Sequence, residues 1–521
     1  MNNSNRPAIR RIGPGLSTLS LFLAFFLAVP PRFVVLAGDI LRGGTPAGLP
    51  HGSGTGNPTA AAVQAGAPSA TSTLARTTQA LSALRSMQAA ARAAAINGPN
   101  NLGADPNHPG QILPNVPNGL ATGGLVPDSG LASQGVANAV TTWTNAQTPT
   151  QTTGGNNTAV TVVQTAQQAL LNWTTFNIGK QTTLTFDQTA GGANASEWIA
   201  FNKVNDPSGV PSQILGSMSG IGQVYVINPN GIIFGGSSQI SLHSLVASSV
   251  PINDNLIARG LLNNPDAQFL FSALPIPAGT NGTPAFNPPP SNIPGGNYGD
   301  VTVQAGAQIT SPANADNVGG RIALVGANVE NDGTITTPDG QTILAAGLQV
   351  GMAAHSTNDP SLRGLDVYVG QVGSYAGTAT NDGLIEAPEA DVTIAGKTVN
   401  QLGFIDSSTS VALNGRIDLL ASYNAISSGG NAQATFPFLS QATGTVDFGQ
   451  NSVTQVVPEY SSTERIIGTQ LALRSQINVT GQTESLDPNA IVFAPNAIAT
   501  FNAGSWDYFS SGGTPTDRFV F

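Results

Sequence analysis

The residues of this chain best placed to do chemistry are a few carboxylates. Asp382, Glu386, Glu389 and Asp391 lie close together, and Asp332 and Asp339 lie upstream. Paired carboxylates can cleave a glycosidic bond, one as acid and the other as base or nucleophile. A polysaccharide lyase or hydrolase is therefore one reading. Turn chemistry accounts for the same residues. Asp332 and Asp382 each precede Gly, and Glu386, Glu389 and Asp391 surround Pro388. The four histidines, His51, His108, His243 and His355, are scattered without metal-ligand spacing. His243 is expected on the surface of a strand. Gly216 to Gly220 carries Ser at the wrong positions for a nucleophile elbow. Phosphate-loop and dinucleotide fingerprints are absent. The expectation is no enzyme, no catalytic residue, no metal and no cofactor.

The most informative block is residues 222–249, GQVYVINPNGIIFGGSSQISLHSLVASS. Asn228, Pro229, Asn230 and Gly231 form a turn leading into Ile232. Pro fixes φ, and Gly accepts a positive φ without strain. On each side stand short β-branched and aromatic runs. The block reads as one coil of a wound β structure and the start of the next.

Composition frames that reading. Charged residues make up 9% of the 521, against roughly 25% in ordinary soluble domains. Polar groups must then be satisfied by backbone ladders and short polar side chains. Net charge is −10 and there is no basic stripe, so nucleic acid is not an expected partner. Cys is absent, so stability must come from packing rather than disulfide staples. Residues 1–37 have the form of a signal peptide. Arg6, Arg10 and Arg11 precede the apolar run LSTLSLFLAFFLAV. That run is short for a span, and no membrane span is expected in the mature chain.

Residues 38–151 are rich in Ala, Gly, Pro and Asn and are expected to be extended or disordered, apart from a helix near 72–96. That helix is Ala-rich, with Leu74, Leu81, Leu84, Met87 and Ala91 near one face. It is either a spacer or a helix that docks on the β structure or a partner.

Short β-rich runs then recur to the end, broken by Gly, Asn and Asp. Asn331-Asp332-Gly333 returns as Asn381-Asp382-Gly383, each followed by a short strand, with a cycle of about 20–25 residues in the solenoid range. One such unit cannot bury its inner face alone, but stacked copies can. The fold class is therefore all-β, a right-handed parallel β-helix. Ile, Val, Leu and Ala would point inward, and Thr, Asn, Gln and Ser outward. A β-sandwich array is the runner-up. A Pro-rich stretch at 274–299 and a shorter one at 357–363 read as excursions.

The 222–249 block, with Asn172-Trp173-Thr174-Thr175-Phe176-Asn177-Ile178-Gly179 and Ala200-Phe201-Asn202-Lys203-Val204 upstream, resembles the N-terminal secretion domain of two-partner-secreted exoproteins. These are the filamentous haemagglutinin-like adhesins of Gram-negative bacteria. The Asn-Pro-Asn-Leu motif of one branch is missing, so the chain is similar to the other branch. The resemblance implies a secretion domain over 152–310 and further coils over 311–521. It implies an N-terminal cap around residues 159–186, and a secretion motif of Asn228, Pro229, Asn230, Gly231 and Ile232. It further implies export through the periplasm by an outer-membrane partner transporter, an adhesin role toward an unidentified receptor, and a place in the medium or on the cell surface. The alternatives are the lyase or hydrolase above and a truncated stalk of a contact-dependent toxin.

Overall fold

The computed structural model describes residues 70–129, 142–355, 359, 361–428, 437–460, 462, 473–495 and 497–504. The expected signal peptide, residues 38–69, the aromatic residues Trp506, Tyr508 and Phe509, and Phe521 lie outside the described residues. So does part of the expected 357–363 excursion.

The chain winds as a parallel β-helix with three walls. The first wall runs from Asn157–Val163 to Ile491–Phe493, the second from Gln168–Phe176 to Ile498–Ala503, and both belong to one 20-stranded sheet. The third, from Ser212–Ile214 to Thr483–Leu486, is an 8-stranded sheet. The sequence builds this because most strands are short and alternate. In Thr334–Thr336 only Ile335 is buried, and in Gln308–Thr310 only Ile309. The inward residue of each rung meets its equivalent on the next. Leu184, Met218, Ile240, Ile309, Ile335, Ile385 and Ile405 form one continuous file along the first wall. All are buried, and burying each such side chain stabilises by about 1.5–3 kcal/mol relative to leaving it in water.

The third wall interrupts its apolar file with amides. Phe234 and Val303 are followed by Asn331, Asn381 and Gln401, then Phe448. Asn331 Nδ2 donates to Asn381 Oδ1 at 2.8 Å, and Asn381 Nδ2 donates to Gln401 Oε1 at 2.8 Å. Gln401 Nε2 closes the chain on the Gly403 and Val453 carbonyls. A buried amide is tolerated here because the rung spacing offers its neighbour as partner.

The first coil is covered from upstream of the expected 159–186 region. Thr150–Gly154 pairs antiparallel with Asn157–Val163, and Leu125–Pro127 pairs antiparallel with Gln168–Phe176. Trp143 packs on Trp173 with ring centres 4.8 Å apart. Leu113, Val116 and Leu125 are buried as well. A good part of the segment expected to be extended or disordered is thus fixed structure. Leu125 and Trp143 join the main core there, with Leu120 and Ala146 packed against it.

Three long insertions leave the coil at the same corner, between the second and third walls. They lie between Gln239–Ser248 and Val301–Val303, between Gln341–Ala346 and Thr378–Asn381, and between Arg416–Leu420 and Thr445–Phe448. The first is longer than the Pro-rich stretch that marks it. From them Phe271–Ser272, Gln349–Ala354 and Leu365–Val369 form an antiparallel sheet. It covers outward residues of the second wall, among them Tyr225, Val246, Ala323 and Ile343. That wall departs from the expected polar exterior because a second layer shields it.

The helix, α1 (Ala70–Asn97), lies against the first wall, so of the two readings open in the sequence the docked one holds. Leu81 is buried with Leu384, Phe404 and Val453.

Replacing Asn381 with Ala strands the Asn331 donor and the Gln401 acceptor inside the core. Urea unfolding of the full chain should show a loss of about 2–4 kcal/mol. A loss below about 1 kcal/mol would mean the amide file contributes no more than an exposed hydrogen bond.

Candidate functional site

The expected secretion residues sit at the corner that carries the second wall into the third, between Ser217–Ile227 and Ile232–Phe234. The turn closes with Gly231 N–H donating to the Asn228 carbonyl at 2.8 Å, while Asn228 Oδ1 accepts from Asn230 N–H at 3.0 Å. Gly231 has φ of 104°, and a Cβ there would stand 2.8 Å from the Asp300 carbonyl oxygen. Only glycine meets both demands.

Both asparagine side chains are 1% exposed, and each reaches a different strand of chain. Asn228 Nδ2 donates to Ser212 Oγ at 2.9 Å in the coil before it. Asn230 Nδ2 donates to the Asp206 carbonyl at 2.8 Å, and Asn230 Oδ1 accepts from Asn292 N–H at 3.0 Å. The backbone is engaged too. Asn107 Nδ2 donates to the Asn230 carbonyl, Gly299 N–H to that of Pro229, and Ser212 N–H to that of Gly231. Ile232 is fully buried in the main core. The five residues therefore tie together the preceding coil, the first insertion and the upstream segment. Asn107, Asp206, Ser212 and Asn292 were missed by sequence reasoning. They are ordinary polar loop residues in a chain full of them, and only their meeting at one corner distinguishes them.

The candidate carboxylates do not converge. Glu386 faces outward on the first wall, 2.6 Å from Arg85 of α1. Asp391 begins a strand of the second wall. Asp332 and Asp382 occupy stacked corners: Asp382 N–H donates to the Asn331 carbonyl. Asp339 and Glu389 have positive φ, as turn residues do. His243 is buried rather than on the surface, with Nδ1 3.2 Å from the Pro312 carbonyl oxygen. Among the described residues no group of three or more His, Asp or Glu is placed to hold a metal.

Asp391 nonetheless has charged company. Arg321, Gln341, Asp391 and Arg416 follow one another on successive rungs. Arg416 pairs with Asp418 at 2.7 Å and donates to His355 Nε2 at 2.7 Å, which lies 3.1 Å from Asp366. Asp391 itself is buried, neither of its oxygens accepts a hydrogen bond, and the nearest cation, Arg363, is 4.0 Å away. Burial pushes its carboxyl up to about 7, against the pull of Arg363 and Arg416. The second insertion covers this cluster. A Cβ on Gly364 would come within 3.0 Å of Asp391, so it is not an open surface for a polysaccharide.

The family described as the TPS secretion domain matches residues 134–434. A stretch of 90 residues is 32% identical to a heme/hemopexin-binding protein of Haemophilus influenzae, covering 17% of this chain and 9% of that protein. The chain thus spans less than a tenth of the length of that relative. A crystal structure of the HMW1 secretion domain from Haemophilus influenzae is similar over 68% of this chain and 97% of its own, at 19% identity and a TM-score of 0.40.

Asp391 also sets a pH dependence. Its folded pKa is raised, so the folded protein keeps a proton that the unfolded chain loses above about pH 4. The cost to stability grows from about pH 4 to about pH 7 and is constant above. Asp391→Asn should gain on the order of 4 kcal/mol over the parent at pH 8 and nothing at pH 4, by urea unfolding. An equal difference at both pH values would refute this.

Proposed function

The chain belongs to the TPS secretion domain family, and on that premise we propose that it is an adhesin-like exoprotein whose 228–232 corner serves export by making the secretion domain fold. A two-partner secretion exoprotein is exported across the Gram-negative outer membrane by a partner transporter, and this is one. Among the described residues no helix is long and apolar enough to cross a membrane.

The observation that carries the proposed role is the burial of Asn228 and Asn230 with every amide used inside the protein. Side chains so enclosed offer nothing to a transporter once the coil has formed. They act either in the unfolded chain or through the folding they make possible. Each coil that winds outside the cell buries apolar surface and resists return, so folding itself favours outward movement. The coils beyond the corner form the displayed stalk, and its receptor is a host or extracellular surface. A binding role fits better than a catalytic one, because Glu386 and Asp391 stand on separate walls, Glu386 is paired with Arg85 and Asp391 is buried. The ligand in the relative's name is not carried over, since the match spans 9% of that protein.

Deleting Asn228, Pro229, Asn230, Gly231 and Ile232 should abolish appearance of the protein in the medium when it is expressed with its partner transporter. The purified deletion variant should also fail to refold. Normal export would defeat the reading. Lost export with normal refolding would show instead that the transporter reads these residues directly.

A further inference from the structure

The helix α1 spans 28 residues, about 42 Å at ~1.5 Å per residue. On the first wall, Thr183, Ser217, Gln239, Gln308, Thr334, Leu384, Phe404, Val453 and Ile491 occupy one outward position on nine successive rungs. Eight spacings of ~4.8 Å make about 38 Å. Helix and wall match in length, and the contacts run in reverse order to the chain. Lys180 Nζ donates to the Ala95 and Gly98 carbonyls at the C-terminal end of α1. Arg92 donates to the Ser238 carbonyl. Gln88 accepts from Gly306 N–H and donates to the Asp332 carbonyl. Arg85 pairs with Glu386 across 301 residues of sequence. Leu81 packs on Leu384, Phe404 and Val453, and Ile491 packs at the edge of that cluster.

Three features of the wall are built for this helix. Its outward position is polar from Thr183 to Thr334 and apolar from Leu384 onward. Leu384, Phe404 and Val453 are 3% exposed or less, in a cluster with Leu81. Gly306 has φ of 90°, and a Cβ there would lie 2.4 Å from the Arg92 backbone nitrogen. Its lack of a side chain lets the helix backbone settle on the corner. Glu386 and Asp406 are direct neighbours on adjacent rungs. Stacked carboxylates repel, and Arg85 is the cation placed over them.

We propose that α1 is a completion latch. Its C-terminal half is anchored on the first coils, and its N-terminal half closes only when the rungs bearing Phe404 and Val453 have wound. Before that moment Leu81 has only Leu384 of its three buried partners, and Arg85 has Glu386 without Asp406 stacked on it. After it, the earliest folded segment and the latest rungs are clamped to one another. Rungs otherwise held only by their neighbours then cannot fray one at a time. Closing also covers an apolar outward row that would otherwise invite association with other chains. The inference goes beyond the role in export and is tested without it.

The chain contains no Cys, so a single introduced thiol reports its own burial. Leu81→Cys, Val226→Cys and Val456→Cys are made separately in the full chain, and each is alkylated in pulses during refolding from urea. Position 226 should become protected first, and position 81 no earlier than position 456. Protection of 81 together with 226, ahead of 456, would overturn the latch. In the folded protein, adding Leu81→Asp to Val456→Cys should speed alkylation by at least roughly tenfold and leave Val226→Cys unaffected. Arg85→Gln, which keeps Leu81, should speed it by roughly threefold. Unchanged alkylation at 456 in both would overturn the proposal, as would equal acceleration at 226 and 456.

Discussion

Every rung of this protein is stable only because another rung lies against it. A strand of three residues such as Ile232–Phe234 cannot bury its own inner face or satisfy its own backbone. Both needs are met by the coil before and the coil after, through parallel ladders and files of like residues. The rest of the architecture answers to that dependence. Corners must repeat their geometry so that the files stay in register. Amides enter the core of the third wall where the next rung supplies a partner, as Asn331, Asn381 and Gln401 do. The ends must be covered, because the first rung has a neighbour on one side only.

The corner at Asn228 carries this constraint at its most demanding point. It must turn the chain without breaking the ladders, and it lies where the preceding coil, the first insertion and the upstream segment meet. Two asparagines serve because a short amide can accept from one backbone and donate to another within a single turn. Glycine at 231 serves because the Asp300 carbonyl leaves no room for a Cβ. The same geometry spends the residues of a turn with no reactive group on holding coils together.

The files along the walls were legible before the structure. Alternation in runs such as Thr334–Thr336 and the returning Asn-Asp-Gly units pointed to stacked coils, and the 228–231 turn was placed correctly at a corner. Two features were not legible, for related reasons. The cover over the first coil comes from Leu125 and Trp143, isolated apolar residues in a low-complexity stretch. Isolated residues have no period to read. The apolar exterior of the second wall, Tyr225, Val246 and Ile343, made those strands apolar on both faces. Such a run does not say whether water or a second layer lies outside it.

The sequence by itself determined what is local. Strand periodicity, turn chemistry at Pro229 and Gly231, the helical segment and the absence of disulfides all follow from residue types and short spacings. The tertiary structure decided what depends on which distant segments meet. It set Asn107, Asp206, Ser212 and Asn292 around the turn, separated Glu386 from Asp391, and buried Asp391 without a hydrogen-bond partner. It also laid α1 across rungs that follow it by 300 residues and more. Local preferences are written in neighbouring residues. Contacts across that distance depend on coil lengths and insertions summed along the whole chain, which no short window records.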